Sequence, residues 1–211
     1  MIPKIVHQTW KTATFDYWVF QRSQASVRRH LPHWDYRFWT DADLAVFVHE
    51  TYPDHYGRWS ALDVPIKRVD VARYFLLHHH GGLYADLDFL FTNPVDELLD
   101  GSHHLYFYRS TEAIVKGWQF LGNAFMISAP GESFWMGLVD FVFALPADTP
   151  VLHHTGPRAV GAYYETLEDR SGFRIFGPDE FDNDRCAAGV GEHRYGYHMR
   201  AATWQRPEFV A

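Results

Sequence analysis

Two hydrophobic periods take turns along this chain: short alternating or apolar runs, and longer stretches with helical spacing. Residues 2–7 read as a short buried strand, with β-branched Ile5 and Val6, followed by Gln8, Thr9 and Trp10 at its C-terminal end. Residues 23–30 have helical spacing and stop before Leu31 and Pro32. Residues 36–39 alternate and are aromatic, which fits a second strand. Thr40 and Asp41 supply an N-cap for a helix through residues 44–48. Pro65 suits the first turn of a helix over residues 66–80, and Gly81 and Gly82 end it. Residues 83–85 form a short strand that delivers Asp86, Leu87 and Asp88. Residues 104–108 and 124–128 read as later strands, residues 133–145 as an apolar helix closed by Pro146, and residues 157–167 as a helix opened by Gly156 and Pro157. Residues 195–204 are aromatic and basic with no clean period. This order predicts an α/β protein with a mostly parallel sheet flanked by helices. Without repeats, low-complexity runs or Gly/Ser linkers, one domain over residues 1–211 is the simplest organisation.

Composition narrows the function. Hydrophobic residues make up 47% of the chain and charged residues 21%, enough for a sizeable core and too apolar for disorder. The aromatic share, 18%, serves either a core or flat platforms for sugar rings and a base. A net charge of −7 excludes attraction of nucleic acid or anionic lipid over the whole surface, although a diphosphate can bind where a cation neutralises it. The single cysteine, Cys186, rules out an internal disulfide and a thiolate zinc cluster, which suits a reducing compartment. Residues 1–6 lack a signal-peptide core, and no run of about 18 apolar residues occurs. The expectation is a soluble protein on the cytoplasmic side, in a microbial or viral glycan pathway rather than the Golgi, and one that could be cut from a longer chain.

The chemistry concentrates in residues 68–88. Asp70 and Arg73 are three apart and share a helix face with Tyr74 and Leu77. Such a pair is either a salt bridge on a solvated face or a pair aimed into a cleft, where Arg offers a donor fork to phosphate or sugar hydroxyls. Asp86 and Asp88 alternate with Leu87. On a regular strand both would project to one side, and at a strand end they would converge on a crevice. Two carboxylates without an intervening cation repel each other. A divalent ion such as Mn²⁺ or Mg²⁺ relieves this and can also take diphosphate oxygens. By spacing alone, a solvated turn explains Asp-x-Asp better than a metal site does.

The joint pattern of Asp70, Arg73, Gly81, Gly82, Tyr84, Asp86 and Asp88 resembles the DXD-containing sugar-transferase region of glycosyltransferase family 32. Members of that family include mannosyl- and galactosyltransferases. The likeness extends to Ile2 through Trp10, to residues 34–40, to residues 123–131, to His153, His154, Thr155, Gly156 and Pro157, and more loosely to His198, Thr203 and Trp204. It implies a GT-A fold and transfer, with retention, of a hexose from a nucleoside diphosphate sugar to a glycan or other hydroxyl acceptor. UDP is preferred and GDP is the alternative. Asp88 would ligate the metal directly, Asp86 would be shared between sugar and metal, and His198 would be the third ligand. Asp70 and Arg73 would hold sugar hydroxyls and phosphate, and Tyr84 would pack near the ribose or base. Gln8, Thr9 and Trp10 would form the base pocket, with Trp10 equally suited to the core. Asn123 would contact sugar or acceptor, or else be a turn residue before a strand. His78, His79 and His80 read as an exposed helix end. The rival functions are a metal-dependent nucleotide-sugar hydrolase or phosphodiesterase, which would need further ligands, and a non-catalytic sugar-binding module.

Overall fold

In the computed structural model, residues 1–182 and 195–206 are described. Strand β1 (Ile5–Trp10) leads through α1 (Trp18–His30) to β2 (Asp35–Thr40), α2 (Asp41–Thr51), α3 (Pro53–Ser60) and α4 (Pro65–His80). Next come β3 (Gly82–Ala85), β4 (Phe89–Phe91), β5 (Leu105–Tyr108), α5 (Thr111–Val115) and β6 (Phe125–Ser128). The chain continues with α6 (Ser133–Ala144), α7 (Val151–His154), α8 (Pro157–Glu165), β7 (Phe173–Phe176), β8 (Phe181–Asp182) and β9 (Gly196–His198). Cys186 and residues 207–211 lie outside the described residues.

The main sheet has the order β2-β1-β3-β6-β5-β7, and only its β6 pairings are antiparallel. The mostly parallel expectation holds. A second sheet, β4-β9-β8, lies beside it. Alternation along the central strands feeds two cores. Tyr84, Leu105, Phe107 and Met126 pack with Val71, Phe75, Trp135 and Leu138 of α4 and α6. Leu83, Ala85, Tyr106, Phe125 and Ile127 face the opposite way, against Val27 and Leu31 of the α1 region and Phe89 and Phe91 of β4. Burial on both faces explains why these strands read as continuous apolar runs. Each fully buried large side chain contributes roughly 1.5–3 kcal/mol.

The boundaries follow from local chemistry. β1 begins at Ile5 rather than Ile2, because Pro3 has no N–H to give, and it runs on through Trp10 by pairing with Phe38, Trp39 and Thr40. α1 starts at Trp18, five residues before the expected helix. Thr40 forms a complete capping box with Asp43. Pro65 opens α4 as predicted, and Gly81 ends it at φ +64°. A Cβ on Gly82 (φ +89°) would sit 2.5 Å from the Ile5 carbonyl, so the Gly-Gly step lets β3 press against β1. α3 and β7 were not apparent in the sequence. The His78–His80 triplet is only partly an exposed end. His79 is exposed, but His78 hydrogen-bonds Tyr52 and His80 stacks near His7 and Phe47. No helix among the described residues is long and apolar enough to cross a membrane.

Candidate active site

From β1 the chain steps to β2 on one side and then returns to β3 on the other. The order therefore reverses between β1 and β3, and the crevice beyond their carboxyl ends is where such sheets bind ligands. β1 ends there with Thr9 and Trp10, and β3 ends with Ala85, immediately before Asp86.

Asp86, Leu87 and Asp88 do not continue the strand. The Phe89 N–H donates to the Asp86 carbonyl at 2.9 Å, closing a β-turn between β3 and β4. The turn is not the solvated one that the spacing allowed: Leu87 and Asp88 are buried. The turn, rather than strand alternation, sets the two carboxylates side by side. Among the described residues, Asp86, Asp88 and His198 offer ligand atoms that all lie within 4.8 Å of one another.

Asp86 is held from the α4 side. Arg73 Nη1 lies 3.1 Å from its Oδ1, and the Tyr84 hydroxyl donates to the same oxygen at 2.8 Å. Thr9 Oγ1 is 3.0 Å from that hydroxyl. The Arg73 guanidinium lies 4.5 Å over the Tyr84 ring and also reaches Asp70 at 3.1 Å and the Asn123 carbonyl at 2.9 Å. Asp70 accepts in addition from Thr155 Oγ1 at 2.7 Å and from the Asn123 amide at 3.0 Å. Burial pushes the Asp70 carboxyl up to about 6, against the pull of Arg73, Thr155 and Asn123. The Arg73 side chain is 4% exposed and that of Asp70 5%, so this pair is not on a solvated face. Both charges are spent inside the protein, in a relay that ends on Asp86.

Asp88 is held from the opposite side. Its Oδ1 is 2.9 Å from His198 Nε2, and its Oδ2 accepts from the Ala201 N–H at 2.7 Å. Burial would raise its pKa, but His198 and the Ala201 N–H outweigh this and hold the carboxyl below its usual value. Burial would lower the His198 pKa, but Asp88, with Asp86 behind it, raises it. Arg200 and Ala202, on either side of Ala201, both have φ +49°, a left-handed conformation costly to residues with a side chain.

The expected site residues thus separate into two groups. Asp86, Asp88 and His198 converge. Tyr84 and Gln8 lie beneath them and are fully buried. Tyr84 therefore has no face for a ribose, and Gln8 donates to the Asp86 carbonyl (3.2 Å) and to Ser23 (3.0 Å). Thr9 is buried against Tyr84. Asn123 stands just before β6 with its amide on Asp70. Trp10 is partly exposed, edge-on to Phe20, and packs on a cluster that includes Leu87 and Ala201, which puts it beside the carboxylates. Thr155 and the backbone of Ala201 were not foreseen as site members. The signal for Thr155 was the resemblance of its His-Thr-Gly-Pro segment.

Two carboxylates and an imidazole suit a divalent cation. Metal–oxygen bonds of about 2.0–2.1 Å place ligand atoms roughly 3–4 Å apart, and the triad's ligand atoms all lie within 4.8 Å of one another. Residues 19–105 match the family described as "Glycosyltransferase sugar-binding region containing DXD motif". Asp70, Arg73, Tyr84, Asp86 and Asp88 all fall inside that match, so the chain carries this family's DXD region. Among its relatives, inositol phosphoceramide mannosyltransferase 3 of Schizosaccharomyces pombe is 34% identical over 74% of this chain and 43% of its own length. Mannosyl phosphorylinositol ceramide synthase CSH1 of Saccharomyces cerevisiae is 40% identical over 47% of this chain and 26% of its own length. The match thus spans less than half of each of these relatives. Two solved structures share the fold: mouse xyloside xylosyltransferase 1 (TM-score 0.56, 11% identity, 96% of this chain and 99% of that one) and the PaToxG glycosyltransferase (0.55, 14%, 79% and 70%). The architecture is GT-A, as the resemblance implied.

Proposed function

We propose that this protein transfers a hexosyl unit, with retention, from a nucleoside diphosphate sugar to a hydroxyl acceptor, using Mn²⁺ or Mg²⁺ held by Asp88, Asp86 and His198. The observation that carries this reading is the convergence of those three side chains at the β1–β3 switch point, the two aspartates from inside the DXD region and His198 from β9. The cation would supply Lewis-acid stabilisation of the departing diphosphate.

The chain's own residues do the rest. Arg73 and Tyr84 fix the direction of Asp86, leaving its second oxygen for the donor. Ala201 fixes Asp88 in the same way. Asp70 acts as the positioning partner of Arg73 rather than as a contact to sugar. Trp10, at the rim, is the candidate platform for the base.

The resemblance of the opening segment favours uridine, with GDP as the alternative nucleotide, and the mannosyltransferase relatives favour mannose as the sugar. Those relatives also point to an acceptor of the inositol-phosphate lipid class, so the expected place of work becomes a membrane surface. A thermal-shift screen of UDP- and GDP-sugars with Mn²⁺ tests the donor, since a ligand that binds only the folded state raises Tm. Selective stabilisation by one nucleotide sugar is expected, and no stabilisation by any would leave a metal-free sugar-binding module as the better reading. Free sugar released at the same rate with and without acceptors would mark a hydrolase instead.

A further inference from the structure

We propose that the turn around α5 docks on an anionic lipid bilayer and so presents a membrane-borne acceptor to the Asp86–Asp88 centre. The proposal rests on the acceptor class inferred above. Within α5, Ala113 is buried but Ile114 and Val115 are 50% and 80% exposed. Just beyond it, the ring of Trp118 lies 4.5 Å from Lys116 Nζ and 4.0 Å from the Arg158 guanidinium carbon. Glu112 receives Lys116 at 2.6 Å and Arg200 at 3.8 Å, and Arg158 also acts on its charge.

Three cations therefore surround one carboxylate, in a chain whose net charge is −7. The overall charge repels an anionic surface, and this local excess is what such a surface would meet within a Debye length. Cationic heads on aliphatic stems, an aromatic ring and two exposed apolar side chains form the composition of an interfacial anchor. A nucleic acid would use the cations but has no use for Ile114 and Val115.

The patch is also tied to the chemistry. Arg200, which reaches Glu112, precedes Ala201, whose N–H holds Asp88. Ser110, which caps α5, follows close on the end of β5, two residues past Tyr108. A headgroup resting against the patch is one residue along the chain from the support of the metal-binding carboxylate.

Co-sedimentation of the full chain with phosphatidylcholine vesicles, with and without phosphatidylserine, tests the idea. Binding is expected only with phosphatidylserine. It should weaken roughly fivefold in Lys116→Ala and roughly tenfold or more in the Ile114→Asp/Val115→Asp double variant, which removes the apolar anchors. Circular dichroism confirms folding of that variant, whose altered side chains are already in solvent. Equal partition onto neutral vesicles, unchanged binding by the double variant, or inhibition by soluble inositol phosphate without vesicle binding would each overturn the proposal. Asp88→Asn should still bind anionic vesicles. If it does while no nucleotide binds the wild type, the docking surface stands and the transferase reading falls. Nucleotide binding without vesicle binding overturns the docking surface and leaves the transferase reading standing.

Discussion

Asp86 and Asp88 are separated by one residue, yet the walls that hold them are built differently. Asp86 leans on α4 and β3, where Arg73, Asp70, Tyr84, Asn123 and Thr155 are all buried and joined by hydrogen bonds. Asp88 leans on β9 and the following turn, where His198 is about one-fifth exposed and two residues sit at positive φ. The first wall carries a permanent counter-charge, because Arg73 stays protonated at any working pH. The second carries a conditional one, because His198 must release its proton before it can ligate a metal. The difference suggests a division of labour: a rigid inner wall that sets geometry, and an outer wall that exchanges a proton for a cation.

The comparison can be broken from either side. The largest effect is expected at Asp88. Asp88→Asn keeps a group that can accept the Ala201 N–H but removes the charge, and donor turnover should fall by about a thousandfold or more, in line with losing a metal that stabilises the leaving group. Assays of sugar transfer at saturating Mn²⁺ check this, and turnover within tenfold of wild type would be incompatible with the metal role.

Next comes Arg73→Ala, which leaves Asp70 buried without its partner. Breaking a buried pair in this way costs about 3–5 kcal/mol, so a fall in the denaturant midpoint should accompany the loss of activity. Thr155→Val removes one donor from the same relay and should cost about 1–3 kcal/mol for the unsatisfied carboxylate oxygen. Thr155→Ser should restore both stability and Mn²⁺ affinity. If Ser and Val behave alike, the hydroxyl does not act through Asp70.

The outer wall makes a pH prediction. The His198 pKa is raised above its ordinary 6.5, so the imidazole is protonated below that raised value and competes with the metal. Mn²⁺ affinity should therefore rise with pH up to the raised pKa and level off above it, by about tenfold per pH unit on the acid side for one displaced proton. His198→Gln should flatten this profile and lower metal affinity by roughly 10–100-fold, the scale of losing a supporting group at a metal site. An unchanged profile would remove His198 from the ligand set.

The same contrast explains what could be read from the sequence. α4 and β3 were legible because Pro65, the apolar helix and the two glycines are local signals, and the Gly82 contact with Ile5 shows why that spacing is strict. The Asp86–Asp88 turn was legible as a motif but not as a turn, since the closing bond from Phe89 leaves no mark in residue type. Asp70 and Arg73 were visible as a pair on one face. That the face is buried depends on Asn123 and Thr155, 53 and 85 positions beyond Asp70, and no local pattern reports such contacts. β9 had no period to detect, because three residues beside β4 and β8 are too short to show one. His198 was found by resemblance rather than by spacing.

The central claim is that Asp86, Asp88 and His198 form one cation site that works with a nucleoside diphosphate. A Mn²⁺ titration followed by electron paramagnetic resonance, with GDP or UDP present, tests it most directly. The account predicts one bound Mn²⁺ per wild-type chain and none in the folded Asp86→Asn/Asp88→Asn variant. Equal Mn²⁺ binding by the two proteins would contradict it.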